Sequence, residues 1–222
     1  KKVAIVGGGY IGLELGCALT KLGTEVTVVE GMDSILGIMD KEIRRPLEIW
    51  LKKNKVTVHT NALARGSKIK GKGASRKVEL IFEKDSEEQK ITVDKILVTV
   101  GRSPNSKGWG VENMGIRMDT SGRFIRIDRQ CRTSAPGVYA IGDVAGEPML
   151  AHKASAQGEM VAEIISGEKR EFDKVAIPAI VFTEPEIVSV GITPDEAKER
   201  GEEIITGKFP LAANGRALTI EA

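Results

Sequence analysis

The stretch VAIVGGGYIGLELG, residues 3–16, constrains this chain more than any other. An apolar run, Val3–Val6, ends in three glycines. A segment with Ile11, Leu15, Ala18 and Leu22 at helical spacing follows, and Gly23 is a natural stop for that helix. Glu25–Val29 then reads as a β-branched strand with Glu30 directly after it. Strand, glycine bend, helix and strand in about 30 residues form the setting in which a GxGxxG spacing carries meaning. Gly7 allows the tight turn, and Gly9 leaves room for a pyrophosphate against the backbone. Gly12 lets the helix lie close on the strand, and Gly16 extends that contact one turn further. Free N–H groups and the positive end of the helix dipole suit phosphate oxygens. The same glycines would serve a bend that only packs a βαβ unit; the acid at position 30 is what favours a dinucleotide.

Glu30 also selects which dinucleotide. A carboxylate at the end of the second strand accepts both hydroxyl hydrogens of the adenine-side ribose. Facing a 2′-phosphate it meets like charge, costing about 4 kcal/mol at ~4 Å and an effective dielectric near 20. That approaches three decades of affinity. Gly31 follows, and no arginine appears before Arg44, so the expected ligand is NAD and not NADP.

The rest of the first third continues the pattern. DKEIRRPLEIWLKKNK, residues 40–55, reads as a second amphipathic helix with Asp40 as N-cap, and Pro46 inside it is expected to kink it or tighten its first turn. KVTVHT, residues 55–60, reads as a third strand with His59 on the surface. KVELIFE and KITVDKILVTVG read as a β-hairpin returning to the sheet, whose last strand brings Gly101 and Arg102 to the cofactor edge. The 222 residues carry 33 Lys+Arg against 31 Asp+Glu, which leaves no electrostatic footprint for nucleic acid or a membrane surface. The basic run from Arg65 to Lys77 is followed by Glu83, Asp85, Glu87 and Glu88, and reads as a solvated hairpin face. No apolar run approaches the ~20 residues of a membrane span, and no signal peptide is visible. Cys17 and Cys131 form no short-spaced pair, which suits two inert thiols in a reducing compartment.

A second signal lies in TSAPGVYAIGDVAGEPMLAHKASAQGEMVAEIISG, residues 133–167. An apolar strand, Val138–Ile141, is expected to deliver Gly142 and Asp143, with a helix from about Leu150 to Ile165 after a short loop. An acid between a strand end and a helix start is again the geometry of a nucleotide edge, although a plain capping aspartate fits as well.

Six motifs in order, GGGYIGLE, TVGRSPN, VYAIGD, MLAHKA, FTEPEIVSVG and KFPLAANGRAL, span essentially the whole chain. Together they resemble the FAD- and NAD-dependent pyridine nucleotide–disulfide oxidoreductases, most closely their dihydrolipoamide-oxidising branch. The resemblance implies an α/β architecture. A Rossmann-like three-layer NAD-binding domain covers 1–102, the C-terminal part of an FAD-binding domain 103–170, and the start of an α+β dimerisation domain 171–222. It places Gly7, Gly8, Gly9, Tyr10, Ile11, Gly12, Leu13 and Glu14 along NAD, with Glu14 at the nicotinamide end. Glu30 takes the ribose, the main chain of Ala64 the adenine side, and Gly101 the nicotinamide half. For FAD it implies Asp143 on the ribityl chain, and Met149, Leu150, Ala151 and His152 at the flavin ring through backbone and helix start. Tyr10 or Ile11 is placed to screen the flavin.

The family's own FAD glycine motif, its CxxxxC pair and its His-Pro catalytic segment have no counterpart here. KKVAIV opens already entering a strand and ALTIEA ends in a β-like run, so the chain is expected to be an internal piece of a longer protein, with no catalytic residue and no metal site of its own. The resemblance implies dihydrolipoamide on a lipoyl domain of a 2-oxo acid dehydrogenase complex as partner, and a homodimer. It also implies a cytoplasmic setting, or the mitochondrial matrix in a eukaryote. Siblings acting on glutathione, mercuric ion or a coenzyme A disulfide remain open, as does a non-catalytic NAD-binding module.

Overall fold

A computed structural model describes residues 1–173 and 176–219. The chain divides into two compact units, Lys1–Gly191 and Ile192–Ala222. In the first, β1 (Lys2–Val6), β2 (Glu25–Val29), β3 (Thr57–His59) and β7 (Lys95–Val98) form a parallel sheet in the order β3-β2-β1-β7. Its strands alternate between two buried faces. Val3, Ile5, Val26 and Val28 point to a core shared with α1 (Tyr10–Lys21) and α2 (Lys41–Lys53), whereas Ala4 and Val29 point to a second core on the opposite side. That second core is closed by an antiparallel meander, β4 (Ala62–Lys70), β5 (Lys77–Lys84) and β6 (Glu87–Val93), through Ala62, Leu80, Phe82 and Val93. Helices, parallel sheet and meander are the three layers of an α/β fold, and each fully buried Leu or Phe contributes about 1.5–3 kcal/mol to them.

Local chemistry explains most boundaries. α1 ends in a Schellman arrangement: the Gly23 N–H donates to Thr20 O and the Thr24 N–H to Leu19 O, with Gly23 at φ +78°. α2 is capped by Asp40, whose Oδ1 accepts from the Glu42 N–H at 2.7 Å, and it runs as one element through Pro46. β5 and β6 join through Asp85 and Ser86, both at positive φ, as a two-residue hairpin turn requires. The expected hairpin is therefore present with one strand more, since β4 pairs along β5. The basic run lies on the exposed side of this meander, where Arg65 pairs with Glu83, Lys70 with Glu79 and Lys77 with Asp94.

Four expectations need correction. The buried face of α1 is Gly12, Leu13, Gly16 and Cys17, while Leu15 is 44% and Leu22 81% exposed. The helix lies so close on β1 that its contact runs through glycines. The Val138–Ile141 strand is reduced to one antiparallel bridge, Tyr139 with Arg132, flanked by hydrogen bonds from Thr133 N–H to Val138 O and from Ala140 N–H to Cys131 O. The second unit holds α4 (Pro194–Glu199), closed by a Thr193–Glu196 capping box, and α5 (Gly215–Thr219). The β-like reading of ALTIEA thus gives way to a helical turn whose N–H groups at Arg216 and Ala217 donate to Asn214 Oδ1; residues 220–222 lie outside the described ones.

His59, expected on the surface, is half-buried with its ring 5.1 Å from Phe82. Burial, reinforced by the Lys84 charge, holds its pKa below the ordinary value. The unfolded chain then takes up the proton first. Stability is fully present above about pH 6.5 and declines as pH falls toward the lower folded pKa. The melting temperature is expected to drop between pH 7.5 and 5.5, and His59→Asn to remove part of that drop; parallel slopes for parent and variant would refute the assignment.

The first unit also holds α3 (Ala151–Ile165) and an antiparallel pair, β8 (Ala179–Val181) and β9 (Ile187–Ser189). Val181 and Ile187 join the helix-side core beside Cys17. Both cysteines are buried, and burial pushes the Cys17 thiol pKa up, which keeps it inert. Among the described residues no helix is long and apolar enough to cross a membrane.

Candidate functional site

β1 feeds directly into the glycine bend at the C-terminal edge of the parallel sheet. Gly7 sits at φ +103°, and its N–H donates to Val29 O at 2.9 Å, tying the bend to β2. A methyl on Gly7 would lie 2.6 Å from Thr99 O, and one on Gly12 would lie 2.3 Å from Gly7 O. Bend, helix start and the segment after β7 are therefore packed backbone on backbone. Gly9 is the exception: nothing lies within 4 Å of an added Cβ. It is the N-cap of α1 and supplies no side-chain cap, so the first N–H groups of the helix face an open cradle. That is the form a phosphate-binding bend takes.

Glu30 turns toward this bend. Its carboxylate accepts from the Gly8 N–H through Oε2 and from the Met32 N–H through Oε1, the latter at 2.8 Å. The carbonyl of Gly8 accepts from Leu36 N–H at 3.0 Å, so both polar atoms of Gly8 are engaged by the segment after β2. Arg44, read from the sequence as too distant to matter, reaches back to donate to Ile35 O at 2.8 Å, and its Nε is buried with no hydrogen-bond partner among the described residues. An open cleft of ≈ 520 Å³ adjoins this segment, between Ser34, Ile35, Leu51, Val56 and Thr60.

The other candidate residues fall into two groups. Leu13 is fully buried in the helix-side core, which leaves only its backbone for a ligand. Ile11 is half-buried at the helix start. Glu14 accepts from Phe182 N–H at 2.9 Å, linking α1 to β8. Ala64 lies on β4 beside a bulge, two residues beyond Ala62, whose N–H donates to Glu30 O. Gly101, at φ +115°, follows Thr99, whose hydroxyl donates to Gly7 O at 2.9 Å.

On the other side, a 3₁₀ turn at Gly142–Ala145 carries Asp143, and α3 begins at Ala151 after Met149 and Leu150. Arg102 joins the two groups: it donates to Asp143 Oδ2 at 3.0 Å, to the Tyr10 hydroxyl at 2.7 Å and to Met149 O. Sequence reasoning brought Arg102 to this edge but gave it no role, because spacing does not encode where a long side chain reaches. His152 contacts Pro178 O through Nε2 at 2.8 Å, so its ring is engaged by the segment before β8. Among the described residues no cluster of His, Cys, Asp or Glu is placed to hold a metal.

Known proteins place the chain in a family. The family model "Pyridine nucleotide-disulphide oxidoreductase" matches residues 1–158, and that of the corresponding dimerisation domain matches 177–222. The chain is 48% identical over 222 residues to dihydrolipoyl dehydrogenase of Pseudomonas aeruginosa and 47% identical over 221 residues to that of Bacillus subtilis. Those alignments take in 100% and 99% of this chain but 46% of either relative, so the chain spans about half the length of the curated relatives it matches. Among solved structures, LpdA of Mycobacterium tuberculosis is similar with a TM-score of 0.84 at 32% identity, over 99% of this chain and 46% of that one. The flavoprotein disulfide reductase RclA of Escherichia coli gives 0.82 at 27%, over 99% and 49%. With one family model running unbroken from the glycine bend through the turn at Asp143, the chain belongs to the pyridine nucleotide–disulphide oxidoreductases.

Proposed function

We propose that this chain is the NAD-binding half, with part of the FAD site and the opening of the dimerisation domain, of a dihydrolipoyl dehydrogenase. The observation that carries the reading is the pairing of an open Gly9 cradle with a Glu30 carboxylate turned onto the same bend. The divisions 1–102, 103–170 and 171–222 are proposed as its functional parts. The bend and the start of α1 hold the pyrophosphate of NAD, Glu30 takes the ribose hydroxyls, and the main chain of Ala64 borders the adenine. Tyr10, Glu14 and Gly101 border the nicotinamide half. Asp143 holds the ribityl chain of FAD, and residues 149–152 offer backbone N–H groups and a helix start to its ring. Bound flavin supplies the two-electron chemistry that joins a thiol–disulfide couple to NAD⁺.

This chain's residues orient and enclose; they supply no nucleophile and no general acid. The redox cysteine pair and the catalytic histidine are assigned to segments outside this sequence. The partner follows from the reading: dihydrolipoamide on a lipoyl domain of a 2-oxo acid dehydrogenase complex, met by a homodimeric enzyme in the cytoplasm. The degree of identity to dihydrolipoyl dehydrogenases supports this branch over other disulfide reductases.

The test compares this chain with the full-length protein that contains it. The full-length protein is expected to carry FAD and to reduce NAD⁺ with dihydrolipoamide. The isolated chain is expected to bind NAD weakly and turn over no dihydrolipoamide. Turnover by the isolated chain, or a full-length protein that ignores dihydrolipoamide, would overturn the reading.

A further inference from the structure

Two polar side chains of α3 are buried where an amphipathic helix ordinarily places apolar ones. Lys153 is 2% exposed and Gln157 1%, one turn apart and in line with buried Met160 and Ile164. The Lys153 ammonium donates to Gly142 O at 3.2 Å and to Gly146 O. Gln157 Oε1 accepts from the Gly142 N–H at 2.8 Å. Both polar atoms of Gly142 and the carbonyl at the far end of the turn are therefore gripped from one face of the helix. The contact is close: a methyl on Gly142, at φ +71°, would lie 3.1 Å from Ala154 Cβ. On its other side the turn is held by Ala145 in a separate core and by Ile125 N–H donating to Val144 O at 2.8 Å. Asp143 stands on this turn with its carboxylate outside the clamp, at Arg102.

Burying an ammonium is expensive, and apolar residues of similar size would seal such a helix at lower cost. A satisfied buried polar network gives geometric uniqueness in exchange. Here it fixes two things to each other, the turn bearing Asp143 and the first turn of α3 after Leu150. We infer that Lys153, with Gln157, is a positioning residue for the flavin: its buried ammonium sets the spacing between the Asp143 carboxylate and the start of α3, and thereby the affinity for FAD. The inference rests on the assignment of those two elements to FAD in the proposed function. A site held to sub-ångström tolerance depends on such supporting contacts as much as on the groups that touch the ligand.

The experiment uses the full-length flavoprotein. Lys153→Met keeps the stem and removes the donors, Gln157→Leu removes the acceptor and leaves the ammonium, and Gln157→Glu keeps an acceptor. FAD affinity is read by flavin fluorescence, NAD affinity by titration, and the order of the turn by deuterium exchange over residues 138–149 in protein stripped of FAD. Lys153→Met and Gln157→Leu are expected to weaken FAD at least tenfold and to speed exchange at least tenfold, with NAD affinity within twofold. Gln157→Glu is expected to stay within twofold throughout. If Lys153→Met does not fold, Gln157→Leu carries the same comparison. FAD affinity within twofold of the parent in both variants would overturn the inference, as would equal losses of FAD and NAD. A parent protein that holds no FAD would overturn the functional reading instead, while the exchange contrast would still decide whether the clamp orders the turn.

Discussion

Gly9→Ala is expected to keep the thermal midpoint of the parent and lose NAD binding, whereas Gly12→Ala is expected to lose both. The two glycines are three residues apart in one bend, yet their surroundings are opposite. Gly9 has φ −78° and ψ 179°, which alanine adopts freely, and its added Cβ meets nothing within 4 Å. The methyl would therefore cost the folded chain little and occupy the space in which a pyrophosphate approaches the helix start. A loss of ten- to a hundredfold in NAD affinity, about 1.4–2.7 kcal/mol, is expected. At Gly12 the added Cβ lies 2.3 Å from Gly7 O, 2.6 Å from Thr99 Oγ1 and 3.0 Å from Ile5 Cγ2. The first of these is backbone in a bend already anchored at Val29 and Thr99, so it has little room to yield. Overpacking of this kind costs about 3 kcal/mol or more, which for a domain of this size lowers the midpoint by roughly 6–12 °C. Scanning calorimetry and NAD titration on both variants separate the effects. Unchanged NAD affinity in Gly9→Ala would mean that nothing approaches the bend there.

These glycines also mark what a sequence can and cannot reveal. The bend, the two flanking strands and the acid at 30 were legible because their chemistry depends on spacing along one chain. Of the packing face of α1 the glycine contact was legible too, whereas the apolar residues Ile11, Leu15, Ala18 and Leu22 draw attention to a face that is largely outside. The contact runs through Gly12 and Gly16, whose contribution is the lack of a side chain; the glycine spacing registers that and hydropathy does not. Lys153 and Gln157 are hidden for the converse reason: polar letters on a helix read as a solvent face until the turn they grip is placed beside them. Arg102 and Arg44 reach partners 41 and 9 residues away in sequence, which no local pattern encodes. The helical turn at Gly215–Thr219 is set by Asn214 capping it, a local hydrogen-bond choice that outweighs the β-like composition.

Glu30→Ala is expected to narrow the preference for NAD over NADP by up to three decades while weakening NAD itself. The two effects have separate causes. In the folded chain the carboxylate accepts N–H groups from Gly8 and Met32, so it orders the bend besides the ribose contact proposed for it. Hydrogen bonds to a charged acceptor are worth about 1.5–3 kcal/mol, and their loss slackens the cradle for either dinucleotide. The like-charge term acts on NADP alone: about 4 kcal/mol for one pair of unit charges at ~4 Å and an effective dielectric near 20. Removing the charge lifts that term, so NADP gains what NAD does not. Salt provides an internal check, because the repulsion lies at the protein surface and is screened: the parent's preference is expected to shrink between 0.01 and 0.15 M ionic strength, where the Debye length falls from about 30 to 8 Å. The variant's ratio is expected to be nearly flat over the same range. Titration calorimetry with both dinucleotides measures each quantity. A ratio within threefold of the parent in Glu30→Ala would show that the carboxylate only braces Gly8 and that discrimination, if any, comes from elsewhere in the segment between Gly31 and Met39.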